Sequence, residues 1–316
     1  MSAPSLPPSS RQAWATRPER SNMFWLRVMT WISLRLGRPA GRLVLHLIAA
    51  YFLAFAPTAR RASRDYLRRA LDRTPGLADL YRHFFAFATT IHDRVYLIND
   101  RFDLFDLDID GEKLIDEASR GGRGAFLMGG HLGSFEAIRA LGRRHPRLTI
   151  ATLMYEENAR KINAMLTAIN PRVRHNVIPL GKLDSMLKVR ESLDQGMIVG
   201  ILADRSLEAG PGLALPFLGG TATFPLGPFR MAAMLRRPVI FMAGLYAGGN
   251  RYHIHFETLA DFSATAAGER DAAVREAVRR YATCLEAQCR RHPYNWFNFF
   301  DFWQAEGPPS GAPAAS

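Results

Sequence analysis

Ala125-Phe126-Leu127-Met128-Gly129-Gly130-His131-Leu132-Gly133-Ser134-Phe135-Glu136-Ala137 is the stretch that decides the fold. A short apolar run bounded by turn residues reads as a buried strand. The helical pattern Ala137-Ile138-Arg139-Ala140-Leu141 follows it. Strand, glycine turn and helix in that order form the unit of an α/β fold, and His131 stands where the strand ends. Strand ends are where α/β folds build their sites.

The same alternation extends outward. Residues 148–154, 177–180, 198–202, 239–246 and 252–258 read as strands, and 136–144, 156–169, 183–195, 225–235 and 271–289 as helices. Residues 102–109 alternate apolar and acidic residues as an exposed strand does, 111–120 make a short helix, and 65–97 is a helical region. This order predicts an α/β fold with a mostly parallel sheet flanked by helices. We expect a disordered tail over 1–21, a basic and apolar segment over 22–60, one α/β domain over 61–305 and a second tail over 306–316.

His131 and Glu136 are the first candidates for chemistry. Neutral imidazole accepts a proton near neutral pH, and a carboxylate behind it fixes the tautomer. The turn between them is expected to let Glu136 reach one imidazole nitrogen. Ser134 lies between the pair, but no G-x-S-x-G elbow surrounds it. We therefore expect His131 to activate a substrate hydroxyl directly, with Gly130 and Ser134 lining the substrate side. The plainer reading makes His131 a helix cap or a packed core residue.

A second apolar run closes on charge at Ile201-Leu202-Ala203-Asp204-Arg205. Asp204 and Arg205 are expected at the same sheet edge as His131, Arg205 holding a phosphate or a thioester oxygen. The plainer reading is a structural ion pair. A Gly/Pro-rich stretch follows, Gly210 to Gly220, read as a loop in which Phe217 and Gly219 shape an apolar slot. It equally suits a simple connection.

Charge places the chain near an anionic partner. Of the net +12, ten positive charges fall within residues 1–75, where thirteen arginines face Glu19, Asp65 and Asp72. The residues between them choose a membrane surface over nucleic acid. Phe24, Trp25, Val28, Met29, Ile32 and Leu36 recur at helical spacing, and Leu43 to Ala56 is apolar except for His46. That run spans about 21 Å as a helix, short of a ~30 Å hydrocarbon core. A helix basic on one side and aromatic on the other lies in the interface, and the flanking arginines favour the cytoplasmic side.

Cys284 and Cys289 form no disulfide framework or zinc spacing. His253 and His255 share a strand face as metal ligands do, but the sequence offers no third ligand, and no metal or cofactor is expected.

Together these residues resemble a known group. Gly130-His131 with Glu136, the strand ending in Asp204, the block Leu215-Pro216-Phe217-Leu218-Gly219-Gly220 and the closing segment Arg291-His292-Pro293-Tyr294-Asn295-Trp296-Phe297 are similar to the lipid A secondary (lauroyl/myristoyl-type) acyltransferases. That family lies within the lysophospholipid acyltransferase superfamily. The resemblance implies an acyltransferase domain over 61–305, an acyl thioester donor on acyl carrier protein or coenzyme A, and a lipid or glycolipid acceptor at the cytoplasmic face of the inner membrane. It implies His131 as general base with Glu136 as its partner. Two other function classes compete with this reading. A nucleotide-binding α/β enzyme lacks its G-x-G-x-x-G here. A non-enzymatic peripheral membrane protein leaves the His/Glu pair unexplained.

Overall fold

The computed structural model of the protein describes residues 20–140, 148–155, 167, 169–170, 176–181, 184–205 and 210–303. Of the expected tails, residues 1–19 and 306–316 fall outside them, as do most of the expected helix 156–169 and residues 141–144; Arg20 and Ser21, expected in the first tail, open a helix.

Seven strands form the main sheet: β1 (Asp106–Asp110), β2 (Ala125–Gly129), β3 (Ile150–Tyr155), β4 (Val177–Leu180), β5 (Ile198–Leu202), β8 (Pro238–Tyr246) and β9 (Arg251–Asp261). Their order is β1-β9-β8-β2-β5-β3-β4, parallel throughout except for the antiparallel β8–β9 hairpin. The expected α/β class holds. β2 lies near the centre, buried along its whole length, which is why it reads as a continuous apolar run.

Alternation along β2 feeds two cores. Phe126 and Met128 join one with Tyr281, Leu285, Val189 and Phe229, while Ala125 and Leu127 join the other with Ile115, Ile138 and Ile254. Burying Phe126 or Leu127 contributes roughly 1.5–3 kcal/mol each. Helices α4 (Glu112–Arg120), α5 (Ser185–Asp194), α6 (Gly227–Met234) and α7 (Arg270–Arg291) supply much of this packing.

The N-terminal region is helical. α1 (Arg20–Phe55) breaks its helical backbone at Gly37, φ +80°, two residues before Pro39. The expected helical region over 65–97 consists of two helices, α2 (Pro57–Ala70) and α3 (Leu77–Ile98), separated by a turn in which Asp72 has φ +52°. Arg38 of α1 holds Asp93 of α3 through two short bonds, 2.7 and 2.8 Å, and Tyr252 of β9 donates to the same carboxylate at 2.9 Å. Leu45 and Ala49 face inward, and Gly41 packs so tightly on His92 that a Cβ would meet its ring at 2.2 Å. The outer side of α1 leaves Leu36, Leu43, Leu47, Tyr51, Phe52 and Phe55 exposed.

One expectation is corrected. The stretch 212–225, read as a loop and its approach to a helix, is a two-stranded hairpin, β6 (Gly212–Phe217) and β7 (Gly220–Pro225). Its turn residues Leu218 and Gly219 both take positive φ, as a tight two-residue hairpin turn demands. Glycine and proline obscured an alternation in which Leu215 and Phe217 point inward.

Candidate active site

Sheet register brings the site together. β2 and β5 are parallel neighbours with Gly129 opposite Leu202. His131 and Asp204 each lie two residues beyond that pair, so two side chains 73 positions apart emerge side by side. Asp204 Oδ1 sits 2.9 Å from His131 Nδ1.

The main chain around His131 is fixed on several sides. Its N–H donates to Asp204 Oδ2 at 3.0 Å, and its carbonyl accepts from Phe297 N–H at 2.7 Å. Gly133 N–H donates to the Asn295 carbonyl at 2.8 Å, and Ser134 N–H to the Gly244 carbonyl at 2.7 Å. Asn295 is itself clamped to both main-chain groups of Tyr246. Gly133 has φ +68°, and a Cβ there would lie 2.0 Å from the Gly244 carbonyl oxygen. The turn is therefore threaded between β8 and the closing segment 295–297.

Asp204 is fully buried and accepts three hydrogens: from His131 Nδ1, from His131 N–H, and from Trp296 Nε1 at 3.1 Å. Burial alone raises its pKa, but the His131 side chain, the His131 N–H and the Arg205 charge outweigh it and hold the carboxyl well below its usual range. His131 is held below its ordinary value by burial, reinforced by Arg205 and opposed by Asp204. Its imidazole remains 34% exposed, so the ring is not walled into the core.

Nδ1 also faces Arg205 Nε at 2.9 Å. One nitrogen cannot both donate to the carboxylate and accept from the guanidinium. The bond to an ionised carboxylate is the stronger, so Nδ1 carries the hydrogen and Nε2 keeps its lone pair. Arg205 lies with its guanidinium 5.1 Å over the Phe300 ring.

Glu136 stands elsewhere. The segment Phe135–Ala140 is a 3-10 turn, not the opening of an α-helix, and Glu136 pairs with Arg94 of α3 at 3.1 Å. Ser134, itself buried, has its Oγ 3.5 Å from the other Glu136 oxygen. Phe135 fills the space over Gly200, where a Cβ would meet its ring at 2.5 Å, and this seats the turn on β5. The carboxylate at the ring is thus Asp204, and the expected contact from Glu136 is replaced by its pair with Arg94.

The remaining sequence candidates divide. Gly130 follows the end of β2 and packs near Tyr281, whose hydroxyl donates to the Gly129 carbonyl at 2.8 Å. Phe217 does not line a slot. It is fully buried between Trp296, Phe302, Trp303 and Phe224. Gly219 is an exposed residue of the hairpin turn. Trp296, Arg94 and Asn295 were missed as site residues. The aromatic closing segment around 296 was the available signal, and it reads first as packing.

Two comparisons bear on this geometry. The family model for bacterial lipid A biosynthesis acyltransferase matches residues 11–305. A search of curated proteins gave no match.

Proposed function

Given that this chain belongs to the bacterial lipid A biosynthesis acyltransferase family, we propose that it moves a fatty acyl chain from an acyl thioester, on acyl carrier protein or coenzyme A, to a hydroxyl of a lipid A-type acceptor. The observation that carries this reading is the partly exposed His131 imidazole with Asp204 at its Nδ1.

In this reading Nε2 takes the hydrogen of the acceptor hydroxyl while that oxygen attacks the thioester carbonyl carbon. The tetrahedral intermediate expels the thiolate, and the imidazolium returns the proton to it. An ester bond forms, a thioester bond breaks and a free thiol leaves. Asp204 holds the tautomer and stabilises the imidazolium. The main-chain N–H groups of His131, Gly133 and Ser134 are already committed within the protein. Arg205 is the cation beside the ring, and we assign it as the oxyanion partner, turning from Nδ1 to the developing charge. Glu136, paired with Arg94, braces the turn that carries His131.

We place the reaction at the cytoplasmic face of the inner membrane. The exposed apolar side of α1 supports this, together with the basic α2 that follows at a 95° bend. Among the described residues no single helix is long and apolar enough to cross a membrane, and the bent pair Arg35–Phe55 with Pro57–Ala70 meets the length and composition together. A surface-docked or re-entrant arrangement fits that geometry.

The test is mass spectrometry of lipid A from cells lacking the protein, complemented with wild type or with His131→Ala. Wild type restores a species heavier by one acyl chain and His131→Ala does not. Full restoration by His131→Ala at matched protein level overturns the reading.

A further inference from the structure

The edge of the main sheet carries a second set of chemistry-bearing side chains. Residues alternate faces along β9, so Tyr252, Ile254 and Phe256 pack inward while His253 and His255 share the other face. β1 pairs with β9 in parallel register, setting Asp108 opposite His253 and Asp110 opposite His255. Each imidazole meets its cross-strand acid: His253 Nδ1 to Asp108 at 2.8 Å, His255 Nδ1 to Asp110 at 2.9 Å. Glu257 Oε2 stands 3.5 Å from His255 Nε2, and the His292 ring stacks on His253 at 6.1 Å.

We propose that Asp110, His253 and His255 form a binding site for a divalent transition-metal ion of the zinc class. One donor atom from each lies within 4.8 Å of the other two. Donors on a tetrahedral zinc ion with 2.0–2.1 Å bonds stand about 3.3 Å apart. Side-chain rotation closes that difference. Asp110 is 63% exposed, which leaves its carboxylate room to turn. Two imidazoles with one carboxylate suit zinc, nickel or copper, whereas calcium and magnesium prefer all-oxygen sets. Asp108 supplies the outer contact that orients His253, as carboxylates commonly do behind metal-bound histidines.

The third ligand is what the sequence lacked. His253 and His255 announce themselves by spacing, but Asp110 joins them only through β1–β9 register. A bound ion ties the edge strand β1 to β9. The consequence reaches toward the turn that carries His131, because Ile254 pairs with Gly244, the residue bridged to Gly133.

The experiment uses the full chain, purified without a polyhistidine tag, stripped by chelator and titrated calorimetrically with Zn²⁺. Mg²⁺ and Ca²⁺ serve as controls. The expected result is one Zn²⁺ bound at micromolar affinity or tighter, with a rise in the thermal unfolding midpoint and no comparable response to Mg²⁺ or Ca²⁺. His255→Gln and Asp110→Asn each weaken binding at least tenfold. Asp110 is exposed, so its variant keeps the fold, as circular dichroism checks. No Zn²⁺ binding by wild type, equal binding by Asp110→Asn, or equal binding of Ca²⁺ overturns the proposal.

Discussion

Trp296 Nε1 donates at 3.1 Å to the same oxygen of Asp204, Oδ2, that accepts the His131 main-chain N–H. Oδ2 is therefore committed to two donors, and Oδ1 is left to face the imidazole. The carboxylate is oriented before any substrate arrives, by a residue from the far end of the chain.

Asp204→Asn tests this arrangement. Two donors at the Oδ2 position hold the amide oxygen there, which turns the amide NH₂ toward His131 Nδ1. The ring must then carry its hydrogen on Nε2 and loses its capacity as a base. We expect kcat/KM to fall on the order of 10³–10⁴ with the fold retained. Glu136→Gln leaves the tautomer intact and costs distinctly less. Steady-state acyl transfer by both variants decides the matter, and a larger loss in Glu136→Gln would reverse the assignment of roles.

The acid limb of the rate profile reports on His131. The base acts only when neutral. Burial holds its pKa below the ordinary value, and Arg205 lowers it further. Wild-type kcat/KM is thus flat near neutrality and falls on the acid side. Arg205→Gln removes a cation beside Nδ1, so the limb moves to higher pH while the plateau drops by about 10²–10³. Profiles over roughly pH 5 to 8 measure both effects. An unmoved limb would separate Arg205 from the imidazole's electrostatics.

Gly133→Ala strains the turn without touching a charged group. The added methyl meets the Gly244 carbonyl at 2.0 Å in a backbone of φ +68°. The conformational cost is about 1–3 kcal/mol, and the turn must shift to relieve it. Displacing His131 by about 1 Å is expected to lower kcat on the order of 10²-fold. Activity close to wild type would show that the turn tolerates the shift.

His83 governs part of the acid stability. Its Nε2 donates to the Trp296 carbonyl at 2.9 Å, and its Nδ1 accepts from Ser63 Oγ at 2.8 Å. Burial pushes its pKa down to about 4. The unfolded chain takes up a proton below the ordinary histidine value near 6.5, while the native state refuses it until about 4. Unfolding free energy therefore declines as pH falls through that window, by about 3 kcal/mol in all. His83→Gln removes this titration. Denaturant midpoints at several pH values should decline less steeply for the variant than for wild type, and equal slopes would dismiss the residue.

Much of this molecule is legible in its sequence. The apolar runs at 125–129 and 198–202 announce buried parallel strands because both of their faces are covered. His131, Asp204 and Arg205 announce a site because charge and imidazole follow such runs directly. The hairpin at 212–225 was obscured because its glycines and prolines mimic a loop. Phe217 was misplaced because an apolar side chain gives no local sign of whether it faces a substrate or another aromatic ring.

The chain's own order of residues determined the α/β class, the parallel core and the histidine at a strand's end. Periodicity and turn chemistry are local, and local forces write them. Which acid stands behind that histidine, and that Trp296 stands behind the acid, was decided only in three dimensions. Neighbouring strands in a sheet choose each other by register and packing, and no spacing along the chain encodes a contact that spans 73 residues.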